Sequence, residues 1–350
     1  MKKNQSLDKI AKIFFIIIFI VLALYFFTSV LMPIIFSAIA SLILLPIVKF
    51  FERIGVNKAL SVLLTVFITI VLTSGIIFVL IFQSQAIVTE LPKMMNENEN
   101  FLNLDSNDLS ASKISEMISI EKETLQEYLS AIKGGLISFL ESGYKGLSNM
   151  LMFLVTCPVY IFFMLLYRNN VYRFVKESQR KSKGNSDSDE VIDDVKHNLY
   201  QYIKGMLIVM LVVGTLTYLG LLLLGIKYAL FLGILTALLT PLPYIGVIIS
   251  ASIPIILAIL TKDSAWYIFG VVAVFAFVQF LEGNVITPKI MGSNVNINPL
   301  MIILSLVIFG AISGLLGMVL TVPILAVIKV IVDHSPNLKH WQFLMEDKKS

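Results

Sequence analysis

Runs of apolar residues longer than a bilayer is thick constrain this 350-residue chain more than anything else in it. Ile13 to about Met32 and Ala59 to Phe82 each reach the roughly 20 residues a helix needs to cross a hydrocarbon core. With 57% of residues hydrophobic and only 14% charged, a soluble fold could not hide its apolar surface. The expected class is therefore an all-α membrane protein. The formal charge of +4 is modest and its Lys and Arg gather in particular loops, which speaks of orientation rather than nucleic acid. The one cysteine, Cys157, sits in a span beside Pro158; it excludes an intrachain disulfide and supplies no metal cluster.

Lys2, Lys3, Lys9 and Lys12 precede the first run, which is too long for a signal peptide and lacks a small-residue cleavage site, so it is read as a retained anchor. Pro33 is expected to turn the chain into a second apolar segment ending near Val48, and a third span occupies 59–82. Residues 1–82 thus form a three-span scaffold. Positive charge at the amino terminus and at Lys49, Arg53 and Lys58 puts both regions in the cytoplasm. Residues 83–148 are polar, and Leu125, Tyr128, Leu129, Ile132 and Leu136 recur at helical spacing. They read as an extracytoplasmic amphipathic helical region resting on the membrane or the protein body, with partner binding the less favoured use. Residues 149–204 hold a fourth span, Met150 to Tyr167, kinked at Pro158, and a basic cytoplasmic loop with a flexible linker at SKGNSDSDE. The loop lacks aromatic interleaving and any nucleic-acid-binding module.

Residues 205–332 carry the expected transport unit, and 333–350 a cytoplasmic tail. A fifth span runs from Met206 to Leu224. Residues 228–260 then form two apolar pieces too short to cross, parted by Pro241, Pro243 and Tyr244-Ile245-Gly246. This reads as a re-entrant helical hairpin with its tip at Thr240 to Gly246; one kinked helix or two ordinary spans are the alternatives. A further span, Ser264 to about Leu281, ends at Glu282, and a polar Pro/Gly-marked connector follows. Residues 299–332 repeat the apolar–break–apolar arrangement, and Pro254-Ile-Ile-Leu-Ala-Ile is matched by Pro323-Ile-Leu-Ala-Val-Ile. A span plus a broken hairpin, twice over and entering from opposite faces, is an inverted repeat of the kind secondary transporters use.

Glu282 is the acid closest to the apolar core of these repeats, while Asp263 belongs to an interfacial turn. A carboxylate there can couple a proton to the passage of a cation. Gln279, Asn284 and Thr287 add neutral oxygens suited to sodium or to a polar solute, and Thr240, Pro241, Pro243, Tyr244 and Gly246 complete the candidate shell from the tip. Gly310, Ser313, Gly314 and Gly317, with Pro254, Pro288 and Pro323, are the expected breaks and hinges. The solute is expected between the tips near Pro241–Gly246 and Gly310–Gly317. Capping, or pairing with Lys289, is the structural alternative for Glu282. No HExxH, no P-loop and no nucleophile–histidine pair in neighbouring spans is present, so neither an enzyme nor a cofactor or metal is expected. A channel is the harder rival to a carrier, and a pure scaffold has no need of paired broken hairpins.

The stretches LGIKYALFLGILTALLTPLPYIG, LEGNVITPKIMG and NPLMIILSLVIFGAISGLLGMVLTVPILAVIKV resemble the autoinducer-2 exporter family of bacterial membrane proteins. With the polar 83–147 insertion the resemblance covers nearly the whole chain, and the Pro-Tyr-Ile-Gly, Gln279/Glu282/Asn284/Pro288 and Gly314/Gly317/Pro323 sets are specific in combination. It implies about eight membrane segments in the cytoplasmic membrane, homo-oligomeric assembly and transport of small solutes. Members divide between export of a quorum-sensing furanone and exchange of sodium or lithium for protons. The expected function is export of a small polar metabolite or signal by alternating access, with sodium(lithium)/proton antiport the alternative. Val247-Ile248 departs from the family pattern, where many members carry a further proline, so the tip is expected to be more helical here.

Overall fold

A computed structural model describes residues 28, 30–97, 134–135, 138, 151–183, 187–262, 264, 266–291, 297–334 and 339–345. Among these residues there are helices and turns and no strand. The helices are α1 (Val30–Arg53), α2 (Lys58–Glu97), α3 (Leu151–Leu166), α4 (Arg168–Lys183), α5 (Asp187–Leu223), α6 (Ala229–Leu239), α7 (Ile245–Thr261), α8 (Trp266–Leu281), α9 (Thr287–Met291), α10 (Pro299–Asp333) and α11 (Lys339–Met345). Among the described residues five stretches are long and apolar enough to cross a membrane: α1, Lys58–Glu90 of α2, Asp194–Leu223 of α5, Trp266–Met291, and α10. The chain is a multi-pass helical membrane protein. Three shorter apolar helices lie at Val155–Leu166, Ala229–Leu239 and Ile245–Ile259.

Several expected boundaries move. The backbone is helical at residue 28 and continuously from Val30, so Pro33 lies within helix rather than at a turn. Residues 83–97 prolong α2 instead of opening a polar region. The Lys- and Arg-rich segment expected as a loop is the amphipathic helix α4, as its good helix formers favour. The helix that carries the fifth span starts as far back as Asp187, with the span itself from Asp194. The first anchor up to residue 27 and the amphipathic face around Leu125–Leu136 lie outside the described residues, as does Asp263.

The chain divides into two compact units. The first comprises residues 1–68, 153–204 and 293–350. There α1, the start of α2 and α3 bury Leu44, Val48, Val62, Val66, Ile161 and Leu165 together. Ser37 Oγ donates to the Cys157 carbonyl at 3.2 Å, and Arg168 Nη2 grips both Glu52 oxygens at 2.9 Å. Asn298 caps α10 by accepting from the Leu300 N–H, with Pro299 in the first turn. Ile297, Leu325, Val332 and Met345 then pack α10 against α11.

The second unit comprises residues 69–152 and 205–292. Helices α5 and α8 run antiparallel: a Cβ at Gly205 would meet Met291, one at Gly220 would meet Val274, and Leu224 lies against Gly270. Gly214 of α5 and Gly233 of α6 face each other with backbone nearly touching backbone, the close approach that small residues allow in membrane helices. Leu80 and Ile87 of α2 join Leu221, Leu232, Ile253, Leu257 and Val271 in the main core of this unit. The α5–α6 turn is tied to α2 because Lys227 and Tyr228 both bind the Glu90 carboxylate.

Candidate functional site

Helices α6 and α7 form a helix–turn–helix whose arms pack on each other. Eleven residues make α6 about 16 Å long, roughly half a hydrocarbon core. Two prolines supply no backbone donor in the intervening turn, so the helix cannot run on. The turn instead closes with the Leu242 N–H bonded to the Leu239 carbonyl and the Ile245 N–H to the Pro243 carbonyl at 2.7 Å. That second bond spans Tyr244, which holds φ 65° and ψ −51°. Such a γ-turn is rare and strained for a bulky residue. Gly246 follows at a point where any Cβ would collide with the Leu239 carbonyl.

Beside this tip, α8 does not end where an apolar-run reading ends it. Pro288 lacks the N–H that would bond the Asn284 carbonyl, and its ring would clash there. The chain answers with a π-helical segment, Glu282–Ile286, in which the Thr287 N–H reaches the Glu282 carbonyl five residues back. Helix then continues to Met291. The expected connector is therefore helical up to that residue, and Glu282 stands inside a 26-residue stretch rather than at its edge. Single-turn π segments of this kind concentrate at functional sites.

The tip and the π segment meet at a narrow cleft wholly within the second unit. Val213, Thr236, Thr240, Gly246, Val247, Ser250, Phe275, Val278, Gln279 and Glu282 line it. The structure thus brings four of the expected residues together: Thr240, Gly246, Gln279 and Glu282. Asn284 is exposed and donates to the Phe280 carbonyl at 2.9 Å, Tyr244 is 64% exposed, and Pro241, Pro243 and Thr287 do not line the cleft. Thr236 and Ser250 escaped the sequence reading. Each lies one helical turn outside the tip, at four residues from Thr240 and from Gly246, and that spacing was the available signal.

The cleft is rich in acceptors. Thr236, Thr240 and Ser250 spend their hydroxyl hydrogens on the carbonyls of Leu232, Thr236 and Val247 at 2.8, 2.8 and 3.1 Å. Their oxygens keep lone pairs for an incoming donor or cation. The Glu282 carboxylate has neither a hydrogen bond nor an ion pair among the described residues, so the pairing with Lys289 is not made. The volume, about 10 Å³, is room for about one water molecule. One turn along α5 from Val213, the fully buried Thr217 hydroxyl also has no partner.

The expected second break sits in the first unit. Within α10 only Gly314 leaves helical geometry, at φ 60° and ψ −143°. Residues eight apart in a straight helix lie about 12 Å apart, yet a Cβ on Gly317 would collide with the Phe309 carbonyl, and one on Gly310 would meet Met318. The helix therefore folds back on itself at one residue. Pro254 and Pro323 both lie inside the second arms of their hairpins. The Ser313 hydroxyl beside the fold is buried without a partner among the described residues.

Comparison with known proteins places the chain in a family. Residues 14–337 match the AI-2E family transporter. YueF of Bacillus subtilis is 28% identical over 87% of this chain and 84% of its own length. PerM of Escherichia coli is 27% identical over 90% of each chain, and the AI-2 transport protein TqsA of Escherichia coli is 23% identical over 95% of this chain and 93% of its own. The match takes in all the spans, both folded-back hairpins and the acceptor-lined cleft, and the chain belongs to the AI-2E family of transporters.

Proposed function

We propose that the chain is a secondary transporter that exports a small polar solute from a bacterial cell by alternating access, and that the cleft beside Glu282 is its solute site. One observation carries this reading: five oxygen-bearing side chains from α6, α7 and the α8 stretch converge on one cleft, with their hydroxyl hydrogens already committed elsewhere. Such a set accepts from the hydroxyls of a small polar metabolite or signal, and TqsA is named as an AI-2 transport protein. In this reading α6–α7 and the two arms of α10 are re-entrant hairpins of an inverted repeat, bringing the membrane segments to about eight. Irregular backbone at the tips then lines a cavity, where membrane depth tolerates it. Both termini face the cytoplasm, and the assembly is a homo-oligomer.

A second reading, exchange of sodium or lithium for protons, draws on the cleft's volume, which fits a single monatomic ion better than a furanone. Everted membrane vesicles separate the two. Labelled furanone signal and other small metabolites are offered first, and uptake should saturate and fall at least tenfold in Glu282→Gln. Sodium-triggered collapse of a preformed proton gradient, lost in the same variant, would instead establish the antiporter. Non-saturating flux would overturn both in favour of a channel.

A further inference from the structure

A second cavity, of about 430 Å³, lies wholly in the first unit, between the last turns of α1 and the start of the apolar stretch of α5. Its polar lining is Lys49 and Arg53 from α1 with Lys196 and Tyr200 from α5. None of the three cations has an acidic partner among the described residues. Two described carboxylates nearby in the chain face other partners: Glu52 holds Arg168 at 2.9 Å, and Asp194 lies 3.3 Å from His334. Three positive charges thus line one opening with no acidic partner among the described residues, and a single negative group there would be attracted to all of them.

The apolar lining is ordered along the same helix. Leu42, Leu45 and Pro46 precede Lys49 and Arg53 on one stripe of α1, spaced three and four residues apart. Eleven residues separate Leu42 from Arg53, about 16 Å along the axis. Because Arg53 ends a membrane-spanning helix, the apolar end of the cavity points to membrane depth and the cationic end to the boundary with water. A soluble anion has no use for the apolar half. An amphiphile with a negative head fits both, and basic pockets between spans are where anionic lipid headgroups bind.

We propose that this cavity holds one anionic phospholipid, its phosphate on Lys49, Arg53 and Lys196 and an acyl chain along Leu42, Leu45 and Pro46. The volume lies in the range of small-molecule sites. The site is distinct from the solute cleft, and it stands whether or not the transport reading holds.

Native mass spectrometry of the full chain in mild detergent, titrated with dioleoyl phosphatidylglycerol or dioleoyl phosphatidylcholine, tests it. The anionic lipid should be retained at least tenfold more strongly, and the preference should vanish in the triple variant Lys49→Gln/Arg53→Gln/Lys196→Gln. Leu42→Trp leaves the cations in place and obstructs the apolar half, so it should weaken phosphatidylglycerol binding by a similar factor. Equal retention of the two lipids by the parent protein would overturn the proposal. So would competition by glycerol 3-phosphate as strong as by the intact lipid, which would mark a soluble-anion site. If the triple variant fails to fold, unchanged lipid retention by Leu42→Trp overturns the proposal on its own.

Discussion

The two hairpins reverse the chain by opposite means. In α6–α7 the turn takes five residues, Thr240 to Tyr244, two of them prolines, and ends on a strained tyrosine. In α10 the reversal is made at Gly314 alone, in a region of φ and ψ that only glycine enters readily. What they share is the residue that lets the arms close: Gly246 sits against the Leu239 carbonyl and Gly317 against that of Phe309. The closing contact recurs in both hairpins while the turn chemistry differs. The longer tip leaves room to present side chains, and a polar cleft lies beside it.

The largest effect should come from filling the shared contact. Gly246→Val and Gly317→Val each drive a side chain into a backbone carbonyl that cannot rotate away, and each should cost about 3 kcal/mol. Thermal unfolding of the purified protein in detergent reads this directly. A large loss at one position with none at the other would break the equivalence of the two hairpins.

Next in size are two substitutions expected to act with opposite sign. Gly314→Ala forces a side chain into a region closed to it and should destabilise by about 2 kcal/mol. Tyr244→Gly should stabilise by about 1 kcal/mol, because it releases a positive-φ conformation. If the tyrosine's strain serves transport, the same variant should show slower flux despite its higher melting temperature. Unchanged flux would make Tyr244 a structural accident of the turn.

These contrasts also explain how much could be read from the sequence. The first tip was legible because Pro241 and Pro243 each remove a donor, which no helix absorbs two residues apart. The second was legible as a place but not as a residue. Gly310, Gly314 and Gly317 look alike in one dimension, and only packing decides which one bends and which ones face a neighbour. Glu282 reads in the sequence as the end of a span, since Pro288 looks like a terminator unless the helix can widen into a π turn. Thr236 and Ser250 were missed because the tip was taken as contiguous residues, whereas its helical flanks project side chains from one turn further out.

The smallest expected effect on stability sharpens the functional side of the contrast. Each hairpin buries a hydroxyl in both arms: Thr236 and Ser250 in the first, Ser305 and Thr321 in the second. Thr236, Ser250 and Thr321 donate to carbonyls of their own helix, so the hydroxyl adds little that the helix does not already have. Thr236→Val, Ser250→Ala, Ser305→Ala and Thr321→Val should therefore each change stability by less than about 1 kcal/mol. Transport should distinguish them. Of these four, only Thr236 and Ser250 line the cleft, so only their loss removes acceptors from the proposed solute site. The first pair should raise the solute concentration for half-maximal flux several-fold, and the second pair should leave it unchanged. An equal rise from Ser305→Ala or Thr321→Val would mean that solute binding is not confined to the cleft beside Glu282, and that the polar longer tip is no guide to where the solute sits.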